Sequence, residues 1–251
     1  MKQAVFDHEG SRIRWTEAPG AERARVYLHG LGSMSAVYHA HIASRPELAG
    51  RRSLFLDLPG HGLSDRPSAF GYTLEEHAEA VAVALDEAGV RGAELVAHSM
   101  GGAVAIVLAH RRPDLASRLV LTEANLDAYP RPTAGSSRIA TYEEGDFVER
   151  QHARVLEAVG PLWAATMRLA DPRALHRSAV GLRRGSDPVM RTILEKLPVE
   201  RVYLQGEHSG ELPGRERLEA AGVRVVTVPG AGHNVMFDNP DAFAAAVAGR
   251  D

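Results

Sequence analysis

The amino-acid sequence predicts an α/β protein in which a mostly parallel sheet carries helices on both faces. Two observations support this. Short continuous apolar runs recur at residues 24–28, 53–56, 95–97, 119–122, 202–204 and 223–228, and helical patterns separate most of them. Strands covered on both faces read as such runs, whereas half-exposed antiparallel strands alternate. A chain of 251 residues is long enough to close one sizeable core without a covalent staple.

The elements follow in order. Residues 4–7 and 12–16 alternate around His8-Glu9-Gly10-Ser11 and predict a β-hairpin. The run at 24–28 ends at His29-Gly30, and that at 53–56 ends at Asp57. Thr73 reads as an N-cap before an acidic first turn, Glu75-Glu76, of a helix that stops at Gly89. The run at 95–97 leads into Ser99, and an apolar helix over 101–110 ends before Pro113. From 126 to 197 the alternation breaks: a Pro-, Gly- and Ser-rich stretch is followed by short helical patterns without a strand. The expected organisation is one domain, with a core of 1–125 and 198–251 and an inserted helical cap over 126–197. Pro240 opens a last, Ala-rich helix.

Composition removes several function classes. There is no cysteine, hence no disulfide, thiolate metal site or cysteine nucleophile. Net charge is −3 with 24% charged residues and no basic stripe, which argues against nucleic-acid binding. The opening MKQAVFDHEGSRIRW has no signal-peptide core and no segment reads as a membrane span, so a cytoplasmic protein is expected. His39 and His41 point apart on a helix, and no metal-ligand spacing is present, so neither metal nor cofactor is expected.

Three segments carry chemistry. In Ala97-His98-Ser99-Met100-Gly101 a buried strand stops at a serine followed by glycines and a helix. Such a turn presents a nucleophile in strained backbone and needs small neighbours. The bland alternative is an N-cap serine, which the following motifs disfavour. His29-Gly30-Leu31-Gly32 follows a strand, and its glycines free backbone N–H groups to serve as an oxyanion hole. A dinucleotide fingerprint is the rival, but Ser35 occupies the third glycine's place and Asp57 leads into a Leu-Pro-Gly-His-Gly turn. Finally, PGAGHNVMFDNP presents His233 in a glycine-rich loop before the last helix.

Together HGLG, DLPGHGLSD, AHSMGG and PGAGHNVMFDNP resemble the α/β-hydrolase superfamily over residues 10 to 248. The resemblance implies an eight-stranded, mostly parallel sheet with a helical cap. It also implies Ser99 as nucleophile, His233 as base, and an oxyanion hole from the N–H groups of Leu31 and Met100. The family's acid usually lies in a G-x-x-D pattern after the strand that follows the cap. Here that segment reads Gly206-Glu207-His208-Ser209, and serine cannot hold the charge. Glu123, which closes the strand after the nucleophile helix, is the expected substitute because some branches place the acid there. Glu207, Glu211 and Asp127 are alternatives.

The expected activity is hydrolysis of a carboxyl ester or lactone of a small, hydrophobic molecule through an acyl-enzyme. Carbon–carbon bond hydrolysis of a diketone-like substrate and non-catalytic ligand binding are the competing readings. His98, Tyr142, His152, Trp163 and Met167 are candidate pocket residues, although aromatic and Met residues there more often fill a cap core. Asp57 and His61 read as braces of their loop. The expected partner is a small-molecule substrate, with a homodimer left open.

Overall fold

The computed structural model describes residues 1–128 and 136–249, the side chains of Glu22, Ser136 and Ser137 excepted. Part of the Pro-, Gly- and Ser-rich stretch, residues 129–135, lies outside the described residues. The opening hairpin forms as expected: β1 (Lys2–Val5) pairs antiparallel with β2 (Arg12–Ala18), Ala4 facing Ile13. β3 (Ala21–Leu28) runs into α1 (Ser35–Ala43), and β4 (Arg51–Asp57) leads to α2 (Leu74–Glu87). The latter helix starts on a reciprocal cap, in which the Thr73 hydroxyl accepts from Glu76 N–H and the Glu76 carboxylate accepts from Thr73 N–H.

β5 (Ala93–His98), α3 (Met100–Arg111) and β6 (Ala116–Thr122) complete the first half of the sheet. The chain then leaves the sheet through α4 (Ser136–Ile139) and α5 (Glu144–Asp146). A π-helical turn over Phe147–Gln151 leads to α6 (His152–Ala158), followed by α7 (Pro161–Met167), α8 (Pro172–Arg184) and α9 (Met190–Lys196). It returns as β7 (Glu200–Gly206), a single 3-10 turn, α10 (Arg215–Ala220) and β8 (Arg224–Val228), and ends in α11 (Val235–Asp238) and α12 (Pro240–Ala248).

The eight strands lie in the order β1-β2-β4-β3-β5-β6-β7-β8, and only the pairings of β2 are antiparallel. The doubly covered sheet explains the apolar runs, because successive side chains enter opposite layers. Leu95 and Ala97 join the layer of α2 and α3, while Val96 joins that of α1 and α12. Leu119 and Leu121 divide from Val120 in the same way. After β3 the chain builds first on one side with β4 and then on the other with β5. Such a reversal opens a crevice at the carboxyl ends of the strands. Among the described residues no helix is long and apolar enough to cross a membrane.

Candidate active site

The loops that follow β3, β5, β6 and β8 meet at this carboxyl-end edge. Ser99 is held at φ 50°, ψ −118°, a conformation unusual for a residue with a side chain, at the junction of β5 and α3. Its N–H donates to the Thr122 carbonyl at 2.9 Å. The turn leaves no room for a side chain at Gly101, two positions on, or at Gly30 on the facing loop. A Cβ on Gly101 would lie 2.5 Å from the His29 carbonyl oxygen, and one on Gly30 would lie 3.1 Å from Ser99 Cβ. Met100 opens α3, where first-turn N–H groups have no partner within the helix and the helix dipole is positive. Leu31 lies opposite in the HGLG loop, also buried.

His29 fixes that loop. Its Nδ1–H donates to the Gly30 carbonyl at 2.7 Å, and its Nε2 accepts the Leu58 N–H at 3.0 Å. Burial depresses its pKa to about 4, which keeps the acceptor nitrogen unprotonated. Asp57 braces the same corner by accepting the N–H groups of Ser35 at 2.9 Å and Leu63 at 3.0 Å. Burial pushes its pKa up to about 6 against those two hydrogen bonds. His61 is buried beneath the turn, its Nδ1–H on the Pro59 carbonyl at 3.0 Å.

Glu123 stands at φ 50°, immediately after β6. Its N–H donates to the Leu204 carbonyl, and its Oε1 accepts the Gly206 N–H at 2.7 Å. Its Oε2 lies 3.6 Å from His233 Nδ1, within ion-pair range and longer than a hydrogen bond. The His233 loop crosses so close to Gly206 that a Cβ there would meet the Gly232 carbonyl oxygen at 2.3 Å. Asp238 pins the loop by accepting the Gly232 N–H at 2.9 Å, and sequence reasoning missed that role. The other candidate acids are engaged elsewhere: Glu207 accepts the Gly230 N–H at 2.8 Å, Asp127 pairs with Arg191 at 2.7 Å, and Glu211 is exposed.

The five candidate pocket residues separate. His98 is only 3% exposed, so it is not a free pocket wall. Its Nε2–H donates to the His233 carbonyl at 2.9 Å, and its ring stacks on Tyr38, so it seats the loop that carries His233. Burial and the neighbouring His233 hold its pKa well below the ordinary histidine value. Met167 is fully buried against Gly32. His152 packs edge-on to Phe147. Trp163, on α7, donates its indole N–H to the Leu31 carbonyl at 2.8 Å. Tyr142 and Trp163 line a cavity of about 410 Å3 within the inserted helices. No cluster of three or more His, Asp or Glu side chains suited to a metal occurs among the described residues.

A family model described as the alpha/beta hydrolase fold matches residues 26–160. The dihydrolipoyllysine-residue acetyltransferase component of the acetoin cleaving system of Cupriavidus necator is 30% identical over 231 residues. These cover 92% of this chain, and the match spans only 57% of that relative's length. The sn-1-specific diacylglycerol lipase ABHD11 of Mus musculus is 29% identical over 254 residues, covering 89% of this chain and 79% of its own. Among solved structures, an esterase from Exiguobacterium antarcticum superimposes with a TM-score of 0.81 at 21% identity, covering 99% of this chain and 98% of its own. At that identity the likeness speaks for the fold. The matched segment takes in over half of the chain, including the HGLG and AHSMGG motifs, and the chain belongs to the alpha/beta hydrolase fold family.

Proposed function

We propose that this chain is a serine hydrolase that cleaves a carboxyl ester or lactone of a small molecule, with Ser99, His233 and Glu123 as its triad. The observation that carries the reading is the position of Glu123. Its carboxylate is anchored on the Gly206 N–H and turns its other oxygen to His233 Nδ1, the place of an orienting acid. His233 Nε2 takes the Ser99 hydroxyl proton as Oγ attacks the carbonyl. The oxyanion is held by the Leu31 and Met100 N–H groups. His233 then protonates the leaving oxygen, and a water activated by the same imidazole releases the acid. The 3.6 Å separation of Glu123 and His233 is of the kind that tightens when substrate binds. The inserted helices, α4 to α9, form the cap over this crevice. Relatives and structural neighbours described as esterases and lactonases support the reaction class.

Hydrolysis of 4-nitrophenyl acetate and butyrate tests this, with intact-mass detection of the acyl-enzyme. Ser99→Ala and Glu123→Gln are expected to lower kcat by about 10³-fold or more. Glu207→Gln keeps an acceptor for the Gly230 N–H and is expected to stay within about threefold. Full activity in Glu123→Gln would move the acid elsewhere. Absence of any acyl-enzyme in wild type would leave carbon–carbon bond hydrolysis or ligand binding.

A further inference from the structure

The inserted helices line an open cavity of about 410 Å3 with apolar walls that include Tyr142, Val155, Val159 and Trp163, and with the exposed Arg138 and Arg154 at its rim. Two independent features distinguish it. The first is its place. Trp163 forms one wall, and the N–H of that indole is bonded to the carbonyl of Leu31 at 2.8 Å, so the cavity lies one indole ring away from the HGLG loop. The second is its charge. Several arginines of the insertion are ion-paired: Arg150 with Asp146, Arg173 and Arg177 with Glu144, Arg184 with Glu75, and Arg191 with Asp127. Among the described residues neither Arg138 nor Arg154 has an ion-paired carboxylate. Arg154 reaches only the Gln151 amide, at 3.4 Å. Asp146, the acid within its electrostatic reach, is already bonded to Arg150 and Gln151.

An apolar cavity rimmed by two guanidinium groups that have no ion-paired carboxylate suits an amphiphile that is apolar along its length and negative at its end. We propose that this cavity is the substrate's distal subsite, and that the preferred ester or lactone carries a terminal carboxylate, received by Arg138 and Arg154. The proposal rests on the serine-hydrolase reading for its chemistry and names the substrate class of that site. The apolar chain lies along Val155 and Val159 against the face of Trp163, and the reacting carbonyl extends past the indole toward Ser99.

The test compares mono-4-nitrophenyl glutarate with 4-nitrophenyl pentanoate, which match in chain length and differ in the terminal charge. The readout is the ratio of their kcat/KM values, which cancels effects common to both esters. Arg154→Gln and Arg138→Gln are each expected to lower the glutarate-to-pentanoate ratio about fivefold, and Arg154→Glu further. Raising NaCl to 0.5 M should lower the wild-type ratio by screening. A ratio unchanged in the Arg138→Gln/Arg154→Gln double variant overturns the subsite, even if both esters are hydrolysed. If neither ester is hydrolysed and no acyl-enzyme forms, the serine-hydrolase reading has failed, and a binding experiment decides the subsite separately. In that experiment 5-phenylpentanoate and 5-phenylpentanol are titrated against tryptophan fluorescence, with Trp163→Phe as the blank. Tighter binding of the carboxylate, lost in the double variant, supports the subsite, and equal binding of acid and alcohol overturns it.

Discussion

At the scale of single residues, the turn at Ser99 is shaped by what its glycines exclude. A Cβ on Gly102 would lie 2.4 Å from Ala124 Cβ and 3.2 Å from Ala124 Cα, so the first turn of α3 rests directly on the residue after Glu123. Gly102→Ala is therefore expected to cost on the order of 2 kcal/mol through overpacking and to lower turnover by displacing the turn. Because the nearest obstacle is a side-chain methyl, Ala124→Gly in the same chain should recover at least half of that loss. Urea denaturation of the four members of the cycle measures it, and a coupling energy near zero would show that the contact is not what keeps position 102 a glycine. Gly101→Ala should have no such rescue, since its obstacle is the His29 main-chain carbonyl. The sequence announces small residues around Ser99 but not which neighbour demands them. The approach of Glu123 to His233 was legible because a carboxylate at the end of a buried strand calls for a partner. Asp238 and His98 were not, since their bonds run to main-chain atoms of a distant loop.

At the scale of elements, the inserted helices are docked on the loops they cover. Asp171 N–H donates to the Gly60 carbonyl at 2.9 Å, Arg66 donates to the Leu169 carbonyl at 2.8 Å, and Ser178 meets His77 Nε2 at 3.0 Å. Gly60 has no room for a Cβ because Ala174 of α8 would lie 2.3 Å away. The Trp163 bond is the member of this set that reaches the HGLG loop. It restrains the peptide plane that follows the proposed oxyanion donor, so α7 and the donor should move together. Trp163→Phe is expected to lower kcat about tenfold, below the cost of losing an oxyanion donor outright. Replacing the indole by its benzothienyl isostere removes the N–H while keeping the shape. If that variant retains wild-type kcat, the bond does not tune the hole. The strands were readable because burial on both faces writes an unbroken apolar run. Their early residues were less so, since Arg25, Glu94, Arg118 and Glu200 form a cross-strand row of alternating charge whose pairing appears only when the strands are in register. The insertion was least readable, because its helices are too short for a clear period and Phe147 packs against Tyr142, His152 and His176 from separate segments, contacts that exist only once the chain has folded back on itself.

At the scale of the whole molecule, five of the twelve histidines, His29, His39, His61, His77 and His98, are buried with pKa values below the ordinary histidine value. Burial is the main cause in each, and their mutual repulsion adds to it. Sequence could not select these five, because a histidine's burial is set by what the fold packs around it. Their sign in folding is the same. As pH falls below about 6.5 the unfolded chain takes up protons that the folded chain refuses, down to about 4 at His29 and about 3 at His39 and His61. Stability present above pH 6.5 is thus lost across that window, by about 1.4 kcal/mol per pH unit for each histidine that stays neutral. Asp57 acts in the opposite direction. Its folded pKa of about 6 lies above the ordinary aspartate value of 3.8, so the folded state gains a proton first and is favoured as pH falls between those values. One carboxyl against five imidazoles leaves the histidines dominant. The urea midpoint is therefore expected to fall steeply between pH 7 and pH 5, while the zone above pH 7 stays flat. His39→Gln should shallow that slope by about one proton's worth, since His39 belongs neither to the proposed triad nor to the HGLG loop. A midpoint that does not change from pH 7 to pH 5 would mean that the unfolded chain gains no proton advantage, and the buried imidazoles would then have to be charged in the folded state.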